Sequence, residues 1–118
     1  MNTPTHKFAI MDEEEMVKVV TLDEWLDWMG QHKKRRMIER DEIEGYRVST
    51  IFLGLDHQWH PDGRPLYFET MIFKPSKPHE PGDVAFEERY STAVQARAGH
   101  ARAVQWLKAK LAHESDPD

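Results

Sequence analysis

Two stretches near the middle of the chain constrain the fold most. Residues 46–53 read Tyr-Arg-Val-Ser-Thr-Ile-Phe-Leu, and residues 66–73 read Leu-Tyr-Phe-Glu-Thr-Met-Ile-Phe. Both are rich in β-branched and aromatic residues, and both read as strands. Neither divides into one apolar and one polar side. Residues 66–73 place Tyr67, Met71 and Phe73 on one face and Leu66, Phe68 and Ile72 on the other. A sheet that is apolar on both faces needs cover on both. Helices can supply one cover. Long loops, a second copy of the chain or a partner protein can supply the other.

The rest of the chain supplies the helices. Residues 8–11 and 16–20 read as short strands, joined by the polar turn Asp12-Glu13-Glu14-Glu15 into a hairpin. Thr21-Leu22-Asp23-Glu24 is a capping box that opens a first helix. Leu22, Trp25, Leu26 and Met29 recur at helical spacing, with Trp25 expected in the core and Gly30 as the stop. Residues 37–43 carry many charges and read as an edge strand, because edge charges discourage association. Glu44-Gly45 is a turn, and residues 54–65 are a long hairpin loop with a Pro61-Asp62-Gly63 turn signal. Three prolines make residues 74–83 a loop, and residues 86–90 are a candidate last strand. Thr92 and Gln95 form a second capping box. The helix that follows has Val94, Ala98, Ala101, Val104, Leu107 and Leu111 on one apolar stripe. The order ββαβββ(β)α predicts a two-layer α+β fold, with one antiparallel sheet of about five to six strands packed on two helices.

At 118 residues the chain has room for one domain, residues 1–118. Its ordered core is expected over residues 7–112, between polar tails at 1–6 and 113–118. The formal net charge of −5 provides no uniform basic field for bulk nucleic acid or an anionic membrane. The absence of cysteine removes disulfides, cysteine–zinc sites and thiol chemistry. No apolar run approaches the ~20 residues that cross a bilayer. The first seven residues lack an apolar signal region. A cytoplasmic protein with no membrane partner is the expectation.

Five features are candidates for function. Asp56-His57-Gln58-Trp59-His60 sets two imidazoles and a carboxylate together, and Glu69 and His100 could add further ligands to a divalent metal. This spacing matches no tight metal motif, and the same string suits an ordinary loop in which Asp56 caps a turn. Glu69 is a carboxylate in mid-strand that needs a partner, for which Arg47, Arg89 and His100 are candidates. A Glu69–Arg89 pair would be structural, whereas a pair with His57 or His100 would suit acid–base chemistry. Gly99 in a helix interior costs about 1 kcal/mol against alanine, so something approaches closely there. Lys33-Lys34-Arg35-Arg36 could contact phosphates, or could answer a helix C-terminus. Trp28, Trp59 and Trp106 fall off the apolar stripes or in a loop, and exposed tryptophan suits a protein interface.

Three stretches also resemble a known group. Val48-Ser49-Thr50-Ile51-Phe52-Leu53-Gly54-Leu55-Asp56-His57 is similar to a VSTVFLGLDH pattern. Pro65-Leu66-Tyr67-Phe68-Glu69-Thr70-Met71-Ile72-Phe73 resembles PLLFETMVFG. Arg89-Tyr90-Ser91-Thr92, followed by Ala98-Gly99-His100, resembles RYSTWEEAEAGH. Together they resemble a widespread group of small tailed-bacteriophage and prophage proteins to which no activity is attached. The loop at residues 58–64 and the tail after Lys108 depart from that pattern. The resemblance implies a phage origin and the cytoplasm of an infected bacterial host.

The leading expectation is a non-enzymatic accessory protein that binds a host or phage protein through His57, Trp59, Tyr67, Met71 and Trp106, with no cofactor. A homodimer is a further expectation. The alternative is a metal-binding protein or metal-assisted hydrolase using Asp56, His57, His60, Glu69 and His100. A third reading is a nucleic-acid accessory factor using Lys33, Lys34, Arg35 and Arg36.

Overall fold

The computed structural model describes residues 7–56, 64–78, 80 and 82–114. Strands β1 (Lys7–Met11) and β2 (Val17–Val20) form the expected antiparallel hairpin. Its turn is pinned by Asp12, whose Oδ1 accepts the N–H groups of Glu14 and Met16 at 2.8 and 3.0 Å. Those N–H groups, Met16's first, hold the Asp12 carboxyl below the usual carboxylate range. Helix α1 (Leu22–Gln31) opens with both halves of the capping box formed, and each such cap is worth about 1 kcal/mol. The helix runs one residue past Gly30 and is capped by His32. A 3₁₀ turn at Lys33–Arg36 leads into β3 (Met37–Ile43) and then β4 (Tyr46–Phe52). The β3–β4 turn places Glu44 at φ 49° and Gly45 at φ 87°. Two successive positive φ values give the backbone twist that a two-residue hairpin requires. Strands β5 (Leu55–Asp56), β6 (Phe68–Phe73) and β7 (Val84–Tyr90) precede helix α2 (Ala93–Glu114).

The fold is α+β, but its strands form two antiparallel sheets rather than one. One has the order β2-β1-β5, the other β3-β4-β6-β7. The single expected sheet is divided because the chain bends between β4 and β5. Gly54 sits there at φ 71°, in the left-handed region. A Cβ at that position would lie 2.8 Å from Trp25 Nε1 and 3.1 Å from the Ala9 carbonyl oxygen. With no side chain in the way, Ala9 N–H donates to the Gly54 carbonyl at 2.8 Å. One run of chain therefore serves both sheets.

The helices also take separate places. Helix α1 packs on β1, while α2 lies across all four strands of the larger sheet. Trp28 is the buried residue of α1 and meets Phe52 edge to face at 5.6 Å. Trp25, expected in the core, is half-buried against Phe8 at 5.2 Å. The bend at Gly54 explains this, since it brings Phe52 beneath the C-terminal half of α1. The expected stripe of α2 holds in its second half, where Leu107 is buried with Val104 and Leu111 packed beside it, but not in its first half. The buried residues are Ala93, Ala96, Gly99, His100, Ala103 and Leu107, whereas Val94 is 80% exposed and Ala98 and Ala101 face solvent. The first half of the helix is pressed onto the sheet and needs small residues at the contact, so size rather than apolarity selects the face there.

The second face of the larger sheet is masked without a helix. Arg47 on β4 lies over the Phe73 ring at 4.7 Å, and Arg89 on β7 lies beside Glu69. Among the described residues no helix is long and apolar enough to cross a membrane.

At Gly99 a Cβ would stand 2.1 Å from Tyr90 Oη. Gly99→Ala should therefore destabilise the protein by about 1–3 kcal/mol through overpacking, despite the ~1 kcal/mol helix-propensity gain. Urea unfolding measures this, and a more stable variant would contradict the packing.

Candidate functional site

Strand β3 is an edge strand, and its Glu39, Asp41 and Ile43 face α2, while a bulge between Met37 and Glu39 turns Met37 to the other face. The β3–β4 register sets Glu39 opposite Thr50 and Asp41 opposite Val48. The β4–β6 register sets Thr50 opposite Thr70. Two carboxylates and two hydroxyls thus share the face that α2 covers. His100 descends from α2 into this group. Its Nδ1 lies 2.7 Å from Thr50 Oγ1, and Thr50 Oγ1 lies 2.5 Å from Thr70 Oγ1. Its Nε2 lies 2.7 Å from Asp41 Oδ2 and 3.7 Å from Glu39 Oε2. The imidazole is 2% exposed, while Asp41 and Glu39 are open to solvent. The line from the sheet interior to the surface reads Thr70, Thr50, His100, Asp41.

Arg97, one helical turn before His100, borders the cluster. Its Nη1 donates to Glu39 Oε1 at 3.1 Å and its Nη2 to Glu15 Oε2 at 2.7 Å. These partners, Glu15 foremost, raise the guanidinium pKa. Three carboxylates here face one guanidinium and one imidazole, so the cluster stays net negative whichever state the imidazole takes.

The hydroxyl–imidazole–carboxylate order looks like that of a nucleophilic triad. However, Thr50 is completely buried between neighbouring strands beneath α2. A substrate carbonyl has no approach to its Oγ1. The arrangement can instead hold a proton or, with Glu39, a divalent cation. The ligand atoms of Glu39, Asp41 and His100 all lie within 4.8 Å of one another.

The expected site residues are dispersed. His57, Trp59 and His60 lie outside the described residues. Asp56 is in β5. Glu69 pairs with Arg89 at 2.8 Å, which is the structural pairing expected. Burial raises the Glu69 pKa and Arg89 partly offsets it. Glu69 and His100 cannot share a metal, because successive strand residues point to opposite faces and Thr70 already points toward α2. Tyr67 is buried, and among the described residues its Oη has no hydrogen-bond partner. Burial, with the Asp56 charge second, pushes its phenol up to about 12. Tyr90 Oη lies beside Thr70 without the geometry of a hydrogen bond. Tyr67, Met71 and Trp106 do not form one surface. Tyr67 is in the core, Met71 lies on the sheet face away from α2, and Trp106 is on α2 against Phe86.

The basic cluster is partly committed to the fold. Arg35 donates to the Asp12 carbonyl and lies over the Trp28 ring, and Arg36 donates to the Phe52 carbonyl. Lys33 and Lys34 remain exposed.

Sequence reasoning missed Glu39, Asp41 and Arg97. A usable signal existed. The tight Glu44-Gly45 turn fixes the β3–β4 register, which aligns both carboxylates with the inward residues Val48 and Thr50. Comparison with protein-family models, with curated proteins and with solved structures found no match. The reading of this site rests on its geometry.

Thr50→Val should cost about 1–3 kcal/mol, because it strips partners from His100 Nδ1 and the Thr70 hydroxyl. Urea unfolding measures the loss, and an unchanged midpoint would show that the hydroxyl contributes nothing. Glu69 gives a pH signature. Its folded pKa is raised, so its contribution is full below the unfolded value and is lost as pH rises through the folded value. Relative to Glu69→Gln, the wild type should lose stability with rising pH across that interval. A constant difference between the two would refute the shift.

Proposed function

We propose that this protein binds a divalent cation at Glu39, Asp41 and His100. One observation carries the reading. A buried imidazole, held from behind by Thr50, aims its outer nitrogen at two solvent-open carboxylates, and all three ligand atoms lie within 4.8 Å of one another. One nitrogen and two carboxylate oxygens suit zinc or manganese. Calcium, which takes six to eight oxygens, is a poorer fit. The solvent side leaves positions for water or a further ligand.

The hydroxyl pair supports this chemistry. In a neutral imidazole that donates from Nε2 to Asp41, Nδ1 accepts from Thr50. A cation on Nε2 needs the proton on Nδ1 instead. Thr50 can then accept from His100 and donate to Thr70, because a hydroxyl does both. Such an outer partner orients a metal-ligating histidine. Among the described residues no nucleophilic side chain stands within reach, and the site is one of binding.

Isothermal titration with zinc and with manganese tests it. One ion should bind per chain, and Asp41→Asn should weaken binding at least tenfold, with circular dichroism unchanged. No binding of either ion, or undiminished binding by the variant, would overturn the reading.

A second reading, an accessory protein that binds a host or phage protein, is favoured by Trp106. This ring is 40% exposed on α2, with Lys110 Nζ 5.2 Å from its centroid. Trp106→Ala should abolish recovery of a near-stoichiometric partner from host lysate. Equal recovery by the variant would count against this surface.

A further inference from the structure

Arg97 is held from two elements at once. Its Nε and Nη2 donate to the two oxygens of Glu15, in the β1–β2 turn, at 3.2 and 2.7 Å. Its Nη1 donates to Glu39 Oε1 at 3.1 Å and to the Ile38 carbonyl at 3.5 Å, both on β3. A guanidinium is a rigid planar fork, so two bonds to one carboxylate fix where its third nitrogen points. That nitrogen takes one oxygen of Glu39 and leaves the other, Oε2, 3.7 Å from His100 Nε2. The two oxygens of Glu39 thus have different neighbours. Oε1 meets a positive charge, and Oε2 meets the imidazole.

We propose that Arg97 makes the cation site selective for zinc over manganese, by keeping Glu39 a one-oxygen ligand. This rests on the cation-binding reading above. His100 Nε2, Asp41 Oδ2 and Glu39 Oε2 are three donors, and one water completes the four-coordinate set that zinc takes. Manganese suits octahedral, oxygen-rich sites. It would gain from Glu39 Oε1, and to take that oxygen it must part Glu39 from Arg97. A carboxylate ligand tied from outside by a hydrogen-bond donor is oriented by it, which makes Arg97 a positioning residue.

Charge alone does not choose between the two ions. Three carboxylates, Glu15, Glu39 and Asp41, against one guanidinium leave a formal charge of −2 when the imidazole is neutral. Either divalent ion answers it equally. Removing the guanidinium strengthens the attraction for both alike. The ratio of the two affinities, rather than either affinity, therefore reports what Arg97 does.

Titration of the full chain with zinc and with manganese tests this, with Arg97→Lys and Arg97→Gln beside the wild type. Lysine keeps the charge and loses the fork, whereas glutamine loses both. The preference for zinc over manganese should fall at least tenfold in both variants, with circular dichroism unchanged. Cobalt(II) gives a second readout, since four-coordinate cobalt absorbs visible light far more strongly than six-coordinate cobalt. The wild-type complex should absorb strongly. Each variant's complex should absorb weakly, as Glu39 closes on the ion with both oxygens. Binding of no divalent cation by the wild type overturns the site and this inference together. A wild type that binds zinc, but with the same preference and the same cobalt spectrum as both variants, overturns the inference alone and leaves the site standing. Variants that only unfold at lower urea, with preference and spectrum unchanged, reduce Arg97 to a structural tie and overturn it equally.

Discussion

Tyr90 Oη occupies the space where any side chain on Gly99 would begin. That contact sets how near α2 lies to the larger sheet, and the other features of this face depend on it. Ala96 and Ala103, on either side of Gly99, are completely buried at the same contact. At this separation the next residue, His100, reaches the hydroxyl of Thr50 in the sheet below and a carboxylate at the sheet edge. A helix held further out by larger residues would leave the imidazole short of both. A buried imidazole with an unpaired nitrogen is costly. The close contact and the polar line are therefore parts of one solution.

The charges of β3 have a second role beside edge protection. Glu39 and Asp41 point toward α2, where His100 and Arg97 meet them. Arg97 also reaches Glu15 in the β1–β2 turn. It thereby ties the smaller sheet to the edge of the larger one. Glu15 has a positive φ of 63°, a strained conformation for a side chain of its type, and this bidentate pairing helps hold it. The same guanidinium also holds Glu39, so the hairpin turn and the carboxylate cluster share one positive charge.

Much of the local structure was legible from residues alone. The Thr21–Glu24 and Thr92–Gln95 boxes both form, because each joins groups three residues apart. The Glu69–Arg89 pair was one of a few partners a mid-strand carboxylate could have. The tight approach at Gly99 followed from the cost of glycine in a helix. Thr50, Thr70 and His100 come from three separate stretches and meet in the core, though neither the sheet register nor the helix phase that joins them is local.

Sequence by itself determined the caps, the tight turn, the strand-forming runs, the edge character of β3 and the α+β class, because each depends on neighbours a few residues apart. Tertiary structure alone decided that the chain divides into two sheets, since the bend at Gly54 is defined by Trp25 and Ala9, far away along the chain. It also decided which side of each helix is buried. Phe52 selects Trp28 over Trp25, and closeness to the sheet selects alanine and glycine over Val94. The group of Glu39, Asp41 and His100 exists only once α2 lies across β3, about sixty residues away in sequence. No periodicity in either segment encodes that crossing.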